Sequence, residues 1–427
     1  MNVQQEADHY VIVGGGPAAA AAVETLLGDP GSGQVTLITE EEIAPYDRTT
    51  LSKAVLRGTG YALPQLLGHV EDLERFRVLL GRKVTGLDPD TQKITTATGE
   101  IVSFNKLLLA TGAEPRRLTL PGSTARGIHY LRDMVDAREI KASLDASHHL
   151  VIIGGGVIGL EVAASSRSLG HDVTVIEVGP RILGRNVPEV IAEAIADEHR
   201  KHGVRILTSV VPVEYTVEDD HVTGVRLSNG ETLAADTVVV GIGVSPRDSL
   251  ASEAGLLVDD GILVDAQGQT SNPHVYAAGD AVRMRLLPEQ RGHRLECWKA
   301  AGEQGAVAAA NMIGTASSYT SQPWNWSDQY DLSMQSTGYV GLNSEELVFG
   351  QLDQPGGLLV LNIENGNLVG GCGVSQGVSI AKVIRATQRV LENGAAVDVP
   401  SLQEVAGDMK ALTKLMTSVA RGTSLAV

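Results

Sequence analysis

The sequence has little of the material from which disulfide-rich, metal-binding or membrane-spanning proteins are built. Its two cysteines, Cys297 and Cys372, stand 75 positions apart and form no CxxC pair. This argues against a disulfide framework, a zinc ribbon and a dithiol redox centre. The longest apolar runs, such as residues 237–244, are far too short to cross a bilayer. The first ten residues are polar and acidic and do not resemble a signal peptide, so we expect a cytoplasmic protein with no membrane partner.

Positive charge and phenylalanine are also scarce. The formal net charge is −17, so the overall charge does not favour binding to nucleic acid or anionic lipid. Phenylalanine occurs three times, whereas glycine occurs 48 times. A core of glycine and small aliphatic residues suits closely packed strand–turn–helix units. A chain of 427 residues is long enough for two or three domains.

The sequence contains one pattern twice. The apolar runs 9–13 and 150–153 each break into three consecutive glycines. Helical stretches follow at 18–27 and 157–169, and second apolar runs follow at 35–39 and 173–176. Each copy therefore predicts a βαβ unit. Such a duplication indicates two bound nucleotides, one in each of two domains.

The first copy reads Gly14-x-Gly16-x-x-Ala19. A turn of this kind lets the backbone approach a pyrophosphate, which then lies at the positive N-terminus of the helix. Glu40 and Glu41 follow the next strand, where a carboxylate can accept hydrogen bonds from the adenosine ribose. A glycine turn alone also arises by chance, but the strand, the helix and the acids together favour a dinucleotide site.

The second copy has the complete pattern, with glycines at Gly154, Gly156 and Gly159. Its second strand ends in Glu177, and the next basic residues are Arg181 and Arg185. A carboxylate at this position binds the ribose hydroxyls and repels a 2′-phosphate, so the sequence predicts NADH rather than NADPH. The alternative is that Glu177 only begins a solvated loop.

A third motif comes late in the chain. A short apolar strand at 275–278 leads to Gly279 and Asp280, which we interpret as the start of a helix. An aspartate there is placed to bind the ribityl hydroxyls of a flavin, with the flavin phosphate at the helix N-terminus. Asp280 as a simple helix N-cap is an equally good interpretation.

The remaining pattern suggests how the chain divides. Residues 114–122 and 244–248 read as linkers to and from an inserted domain. Short alternating strands begin near residue 323, and helices follow near 380–392 and 402–419. We therefore predict two α/β domains and a C-terminal α+β domain. They comprise residues 1–113 with 247–325, residues 114–246, and residues 326–427.

Seven stretches occur in the order typical of one enzyme family. They are residues 45–53 (PYDRTTLSK), 109–112 (LATG), 154–161 (GGGVIGLE), 240–243 (VGIG), 275–280 (VYAAGD), 296–298 (ECW) and 323–330 (PWNWSDQY). In these stretches the sequence resembles the FAD-dependent pyridine-nucleotide reductases, specifically the ferredoxin–NAD(+) reductases of bacterial oxygenase systems. It is similar also to the apoptosis-inducing-factor proteins. The resemblance implies a glutathione-reductase-like fold, in which two Rossmann-like domains bind FAD and NADH.

The resemblance also implies roles for individual residues. Positions that contact FAD in the family are matched by Arg48, Lys53, Val84, Arg132, Asp280, Trp298 and Trp326. Positions at the NADH site are matched by Val157, Ile158, Glu177, Arg185, Gly243 and Glu296. For Trp324 and Trp326 the sequence by itself favours ordinary core packing. Two departures occur: Thr49 and Thr50 replace a pair of prolines, and Ala19 replaces the third glycine, a substitution that the fold tolerates.

Lys53 and Glu161 match a lysine and a carboxylate that form an ion pair beside the flavin in the family. A buried lysine needs such a partner, and a positive charge near flavin N5 stabilises the reduced ring. We therefore predict a direct Lys53–Glu161 salt bridge and assign the catalytic role to these two residues.

The scarcity of cysteine bears on how electrons leave. Disulfide reductases of similar architecture carry a CxxxxC pair, and NADH oxidases and peroxidases carry one reactive cysteine, whereas this sequence has neither. The resemblance therefore implies direct transfer from FAD to a [2Fe–2S] ferredoxin of the Rieske or plant type, which feeds a terminal oxygenase. The alternatives are an NADH oxidase or quinone reductase, and a flavin-bound signalling protein.

One short segment is basic in an otherwise acidic chain. Residues 281–299 have a net charge of +3, from Arg283, Arg285, Arg291, Arg294 and Lys299 against Glu289 and Glu296. Such a segment can dock an acidic ferredoxin, and a solvated surface is the alternative.

Overall fold

The computed structural model describes residues 7–59, 65–68, 74–185, 187–284, 294–339, 344–377, 380–405 and 407–422. The chain forms two compact units. The first comprises Met1–Arg48, Ala62–Glu114 and Val244–Ser321, and the second comprises Thr49–Tyr61, Pro115–Gly243 and Gln322–Val427. Each unit is therefore assembled from segments that are separated in sequence.

The strands of the described residues follow in chain order. They are β1 His9–Val13, β2 Gln34–Ile38, β3 Phe76–Leu79, β4 Val84–Asp88, β5 Lys93–Thr96, β6 Ile101–Ser103, β7 Lys106–Leu109, β8 Ala113–Pro115, β9 Ile128–Tyr130, β10 His149–Ile153, β11 Asp172–Glu177, β12 Arg205–Thr208, β13 Pro212–Glu218, β14 His221–Leu227, β15 Thr232–Ala234, β16 Thr237–Val240, β17 Val244–Pro246, β18 Ile262–Val264, β19 Val275–Ala277, β20 Val282–Met284, β21 Trp324–Gln329, β22 Leu332–Gly338, β23 Glu345–Gly350, β24 Leu358–Glu364 and β25 Asn367–Gln376.

The helices of the same residues are α1 Pro17–Gly28, α2 Met134–Asp145, α3 Val157–Ser168, α4 Glu189–Lys201, α5 Ser249–Glu253, α6 Trp298–Met312, α7 Ala381–Glu392, α8 Val399–Glu404 and α9 Met409–Ala420. Two tighter 3₁₀ turns span Arg48–Thr50 and Gly279–Ala281, and Leu51–Val55 forms a π-helical turn. No helix within the described residues is long and apolar enough to cross a membrane.

The first unit is built on a five-stranded parallel sheet in the order β19-β7-β1-β2-β3. Helices α1 and α6 cover one face. The two helices approach so closely that a Cβ at Gly305 would lie only 2.1 Å from the carbonyl oxygen of Ala18. The antiparallel strands β4-β5-β6 contribute side chains to the core on the other face. This packing explains why the chain is rich in glycine and alanine.

The second unit repeats the arrangement with a parallel sheet in the order β12-β11-β10-β16-β9. The antiparallel strands β13-β14-β15 share a core with one face of this sheet. On the other side, α3 and α4 share a core with strands β22, β24 and β25. Those strands belong to the antiparallel C-terminal sheet, β21-β22-β25-β24-β23, whose opposite face packs on α7, α8 and α9.

Both predicted βαβ units are present, and their strands and helices begin and end within one residue of the expected bounds. The α/β class and the C-terminal α+β region are also confirmed. Two details differ. The predicted linkers contain strands β8 and β17, which pair with each other and so satisfy backbone groups that a bare linker would leave to solvent. The predicted helix at 402–419 is interrupted, because the Asp408 carboxylate caps a new helix, α9, by accepting hydrogen bonds from Lys410 and Ala411 N–H.

Candidate functional site

The first glycine turn joins β1 to α1. Gly14 has φ +135°, and a Cβ there would lie 2.0 Å from the carbonyl oxygen of Ala110, so only glycine fits. By contrast, a Cβ at Gly16, the N-cap of α1, would meet nothing within 4 Å. Space is therefore open in front of the helix N-terminus, where backbone N–H groups and the helix dipole attract anions. A dinucleotide pyrophosphate fits this turn.

The second turn, between β10 and α3, is built in the same way. Gly154 has φ +112°, and a Cβ there would lie 2.3 Å from the carbonyl oxygen of Gly241. Gly156 again faces open space at the N-cap of α3. Gly159 is required because its Cβ would lie 2.3 Å from the carbonyl oxygen of Gly154. The corresponding residue of the first turn, Ala19, is fully buried and accommodated.

The acids after the two turns do not occupy equivalent positions. Strand register pairs Val13 with Ile38 and Ile153 with Ile176, so Thr39 corresponds to Glu177. A Cβ at Gly15 would lie 2.6 Å from Oγ1 of Thr39, whereas the equivalent glycine of the second turn faces the Glu177 carboxylate. Glu40 and Glu41 thus come one and two residues beyond the position that Glu177 holds.

Each of these three acids has partners. Glu177 accepts hydrogen bonds from the N–H groups of Gly155 at 2.8 Å and Gly179 at 2.7 Å, which fix it beside the second turn. Glu40 forms an ion pair with Arg247, a residue without an assigned role in the sequence analysis. Glu41 forms an ion pair with Arg48.

The Arg48 guanidinium also lies over the ring of Tyr46, 5.2 Å from its centroid. The Tyr46 hydroxyl donates to Glu41 at 2.8 Å. Arg48, predicted from the resemblance, is therefore held at the end of the second strand of the first βαβ unit. Of the basic residues that follow Glu177, Arg181 turns back onto the carbonyls of Ile182 and Leu183.

Lys53 and Glu161 form the predicted ion pair. The Lys53 ammonium lies 2.8 Å from Oε2 of Glu161, and it also donates to the carbonyl oxygen of Thr49 at 3.2 Å. Glu161 is 3% exposed on α3. Its carboxylate accepts two further hydrogen bonds, from Ser52 on Oε2 and from Ser327 on Oε1, the latter at 2.7 Å. A buried carboxylate with three donors is well compensated for its desolvation.

Asp280 lies in a different local structure from the one expected. It is the middle residue of a single 3₁₀ turn, which leads into strand β20 rather than into an α-helix. Among the described residues, the next helix is α6, and its N-cap is Cys297. A helical turn does begin at Gly279 as predicted, but it is a single 3₁₀ turn, and its N-cap is Ala278 rather than Asp280. The preceding Gly279 has φ +81°, and its N–H donates to Gln304.

The remaining predicted residues are spread over both units. Gly243 has φ +101°, and Arg185 beside it is exposed, whereas Val157 and Ile158 begin α3. Trp326 stacks on Trp324 with ring centroids 5.0 Å apart, and Trp324 packs on the C-terminal core.

Three other predicted positions lie at the ends of elements. Val84 is half-buried at the start of β4, Arg132 lies just before α2, and Trp298 is 38% exposed at the start of α6. Glu296 forms an ion pair with Arg294.

Only part of the basic segment 281–299 falls within the described residues. Arg285, Arg291 and Glu289 lie outside the described residues. Arg283 pairs with Asp259 at 3.1 Å, and Arg294 pairs with Asp260 at 3.2 Å. Lys299 lies 3.5 Å from Glu303. Each described cation of the segment thus has a carboxylate neighbour.

The C-terminal domain carries a cationic groove of about 550 Å³ that the sequence analysis did not find. Four cations line it, namely Lys382, Lys410, Lys414 and Arg421. Over the residues that the structure describes, no carboxylate lies within ion-pair distance of any of them. Lys410 and Lys414 are one helical turn apart, and like charges at this spacing repel. A cationic surface of this kind is complementary to an acidic partner.

Both cysteines are buried, and no disulfide links them. Complete burial raises the pKa of the Cys372 thiol to about 12, so it is not a thiolate at neutral pH. No group of three or more metal-ligating side chains occurs within the described ranges.

Comparisons with known proteins agree with this geometry. The pyridine nucleotide-disulphide oxidoreductase model matches residues 8–305, and the reductase C-terminal model matches residues 324–413. The chain is 36% identical over 402 residues to the anthranilate 1,2-dioxygenase system ferredoxin–NAD(+) reductase component of Burkholderia cepacia, covering 93% of this chain and 97% of that one.

Solved structures give the same picture. The covalent putidaredoxin reductase–putidaredoxin complex matches with a TM-score of 0.89 and 30% identity, over 97% of this chain and 99% of that chain. The ferredoxin reductase for the CYP199A2 system from Rhodopseudomonas palustris matches with a TM-score of 0.88 and 30% identity, over 98% of this chain and all of that chain (100%).

Proposed function

Because the chain belongs to the pyridine nucleotide-disulphide oxidoreductase family, we propose that it is an FAD-containing, NADH-dependent ferredoxin reductase. The observation that carries the dinucleotide part is the pair of matching glycine turns, since two dinucleotides require two such sites. FAD held at the first turn would supply the chemistry that links two-electron oxidation of NADH to one-electron reduction of an iron–sulfur centre.

Ferredoxin as the acceptor is supported by the relatives. One is named as a ferredoxin–NAD(+) reductase component of a dioxygenase system, and one structure is a covalent complex with putidaredoxin. The partner of this chain is accordingly a small [2Fe–2S] ferredoxin that feeds a terminal oxygenase. The buried cysteines support electron transfer without a thiol intermediate.

Different residues of the chain bind the two dinucleotides. The first turn and the group formed by Arg48, Glu41 and Tyr46 hold FAD. The further FAD-binding residues are Asp280, Val84, Arg132, Trp298 and Trp326. The second turn holds NADH, with Glu177 on the ribose and Arg185, Gly243 and Glu296 along the dinucleotide. The corresponding domains are residues 1–113 with 247–325 for FAD, 114–246 for NADH and 326–427 for the C-terminal domain. The enzyme works in the cytoplasm.

Glu177 sets the preference for NADH. Its two backbone hydrogen bonds use one lone pair on each oxygen, which leaves the others to accept the two ribose hydroxyls. A 2′-phosphate would bring negative charge against this carboxylate. Arg181 does not offset that repulsion, because its guanidinium is directed at backbone carbonyls.

Lys53 and Glu161 form the electrostatic part of the site. The carboxylate holds the Lys53 ammonium in one position. A fixed positive charge favours the reduced, anionic state of the flavin ring. The protein thus contributes charge and orientation, while the cofactor supplies the redox chemistry.

We assign the ferredoxin dock to the cationic groove rather than to the segment 281–299. Among the described residues no groove cation forms an ion pair with a carboxylate, whereas each described cation of the segment does. Charge that is already neutralised locally does little to steer an acidic partner.

The cofactor content tests the dinucleotide part. Acid precipitation of the purified protein should release one non-covalent FAD per chain, and NADH should bleach the flavin spectrum under anaerobic conditions. Release of FMN, or the absence of flavin, would contradict the proposal.

A further inference from the structure

A line of buried hydrogen bonds leads from the Glu161 carboxylate to helix α4. Ser327 donates to Oε1 of Glu161 at 2.7 Å, and Gln329 donates to Ser327 at 3.0 Å. His199 Nε2 lies 2.8 Å from Oε1 of Gln329, and the Tyr330 hydroxyl lies 3.3 Å from His199 Nδ1. We call Ser327, Gln329, His199 and Tyr330 the Glu161 network.

The donors of the Glu161 network all point the same way. Ser327 has one hydroxyl proton and uses it on Glu161, so its oxygen can only accept from Gln329. The Gln329 amide then presents its oxygen to His199, which must carry a proton on Nε2. In the neutral ring Nδ1 is the acceptor for Tyr330. The polarity of every link is thus set by the carboxylate at the end.

The network is buried, so a hydrogen bond missing from it would destabilise the folded state. Exposure is 1% for Ser327, 3% for Gln329 and zero for His199. Burial lowers the pKa of His199, and the neighbouring His202 lowers it further, against the hydrogen bond to Gln329 and the charge of Glu198. The neutral imidazole that the geometry requires is therefore the form that the environment favours. Breaking one link leaves buried polar atoms unpaired.

Three separate elements meet in the network. Glu161 lies on α3, Ser327 and Gln329 on the same face of β21, and His199 on α4. Tyr330 has φ +56° in the turn after β21, and its ring stacks on His202 with centroids 3.8 Å apart. The network therefore ties the orientation of one carboxylate to the packing of α4 and the C-terminal sheet.

We propose that Gln329 and His199 are positioning residues for the Lys53–Glu161 pair. They hold Oε1 of Glu161 through Ser327, and this leaves Oε2 directed at Lys53. The amide of Gln329 does not conduct protons as a hydroxyl or imidazole does, so the network orients the carboxylate rather than relaying protons. The inference rests on the proposed function for its catalytic meaning, but the geometry it asserts can be tested separately.

The test compares Gln329→Leu, His199→Leu and His199→Gln with Thr237→Val in the FAD-loaded protein. Thr237 forms a buried hydrogen bond with Ser147 in the same unit, outside the Glu161 network, so Thr237→Val reports the effect of losing a buried bond as such. His199→Gln retains a donor for Gln329 and serves as the conservative rescue.

The first readout is the acylation rate of Lys53, measured by mass spectrometry at constant pH with a small anhydride. We expect Gln329→Leu and His199→Leu to raise it about fivefold, the factor that corresponds to one lost hydrogen bond. Thr237→Val should label at the wild-type rate, and His199→Gln close to it. Wild-type labelling of Lys53 in Gln329→Leu, with stability lowered as in Thr237→Val, would show that the network only fills the core and would overturn the inference.

The second readout is single-turnover reduction of the flavin by NADH. We expect Gln329→Leu to lower the limiting rate while the apparent Kd for NADH stays unchanged. If labelling of Lys53 changes but the limiting rate does not, the network positions the ion pair, and the ion pair does not contribute to flavin reduction. That result would count against the proposed function and not against the positioning role.

Discussion

The Lys53 ammonium lies 2.8 Å from Oε2 of Glu161, although the two residues come from segments far apart in the sequence. Lys53 is on a π-helical turn and Glu161 is on α3. Because Glu161 is almost completely buried, loss of either partner leaves an unpaired charge in the protein interior, where it is poorly solvated.

Removal of either partner should therefore be costly. We expect Glu161→Ala to lower the free energy of unfolding by about 3–5 kcal/mol and to slow flavin reduction by NADH. Lys53→Met should slow the same step while retaining FAD better than Asp280→Ala does. Urea unfolding and stopped-flow absorbance measure these effects. The exposed pair Lys141–Asp145 is the control, and Asp145→Ala should cost only about 0.5 kcal/mol. Wild-type reduction rates in both Lys53 and Glu161 variants would remove the catalytic assignment.

Glu177 should determine the preference for NADH. Replacing it with glutamine and introducing a nearby arginine should reduce the ratio of kcat/KM for NADH over NADPH by about ten- to a hundredfold, the worth of one good charged hydrogen-bond interaction. The exposed Glu218→Gln, in the same unit, is the control. Steady-state kinetics with both nucleotides measure the ratio, and equal efficiencies in the wild-type protein would rule out this role.

The cationic groove should govern the reaction with ferredoxin. Charge reversal at Lys410 and Lys414 should raise KM for an acidic ferredoxin and flatten its dependence on ionic strength. Reduction of a small dye should not change. Lys299→Glu, in the segment 281–299, is the matched control and should have little effect, because Lys299 already has a carboxylate neighbour. The opposite ranking of the two variants would move the dock to that segment.

The cysteines should be dispensable for electron transfer. We expect a Cys297→Ser, Cys372→Ala variant to reduce ferredoxin at close to the wild-type rate, since both thiols are buried and the pKa of Cys372 is raised to about 12. Labelling of the native protein with a thiol reagent should be slow. Loss of turnover with retained flavin would indicate a thiol intermediate.

His199 should contribute to the pH dependence of stability. Burial lowers its pKa in the folded protein, so the native state binds fewer protons than the unfolded state. Its contribution is then present above the ordinary histidine pKa of 6.5 and is lost as the pH falls below it. His199→Gln should reduce the acid-side slope of the unfolding free energy. His129→Gln is a useful comparison, since burial lowers the pKa of His129 as well. An unchanged slope in His199→Gln would mean that His199 titrates alike in both states.

Local patterns predicted much of the fold. The two βαβ units were identified to within a residue because apolar periodicity and consecutive glycines are both local signals. The third glycine of the second turn followed from the same pattern, and Gly159 is sterically required. The interruption between α8 and α9, and the 3₁₀ turn at Asp280, were missed because each depends on contacts that the local sequence does not specify.

The site was predictable only in part. Strand alternation places Ser327 and Gln329 on one face of β21, but nothing local indicates that this face meets Glu161. His199 lies on a helix with no motif of its own, and its link to Gln329 spans 130 positions. The displacement of Glu40 and Glu41 from the position that Glu177 holds likewise emerges only from the register of the parallel strands. Long-range side-chain hydrogen bonds of this kind leave no pattern in a single sequence.

The fate of electrons on the reduced enzyme tests the central claim most directly. The holoenzyme is reduced anaerobically with one equivalent of NADH and then mixed, in a stopped-flow instrument, with either a [2Fe–2S] ferredoxin or oxygenated buffer. A ferredoxin reductase should pass electrons rapidly to the ferredoxin, with a rate that falls as ionic strength rises, and should react slowly with oxygen. Rapid reoxidation by oxygen together with slow, salt-independent reduction of ferredoxin would contradict the account and identify an NADH oxidase.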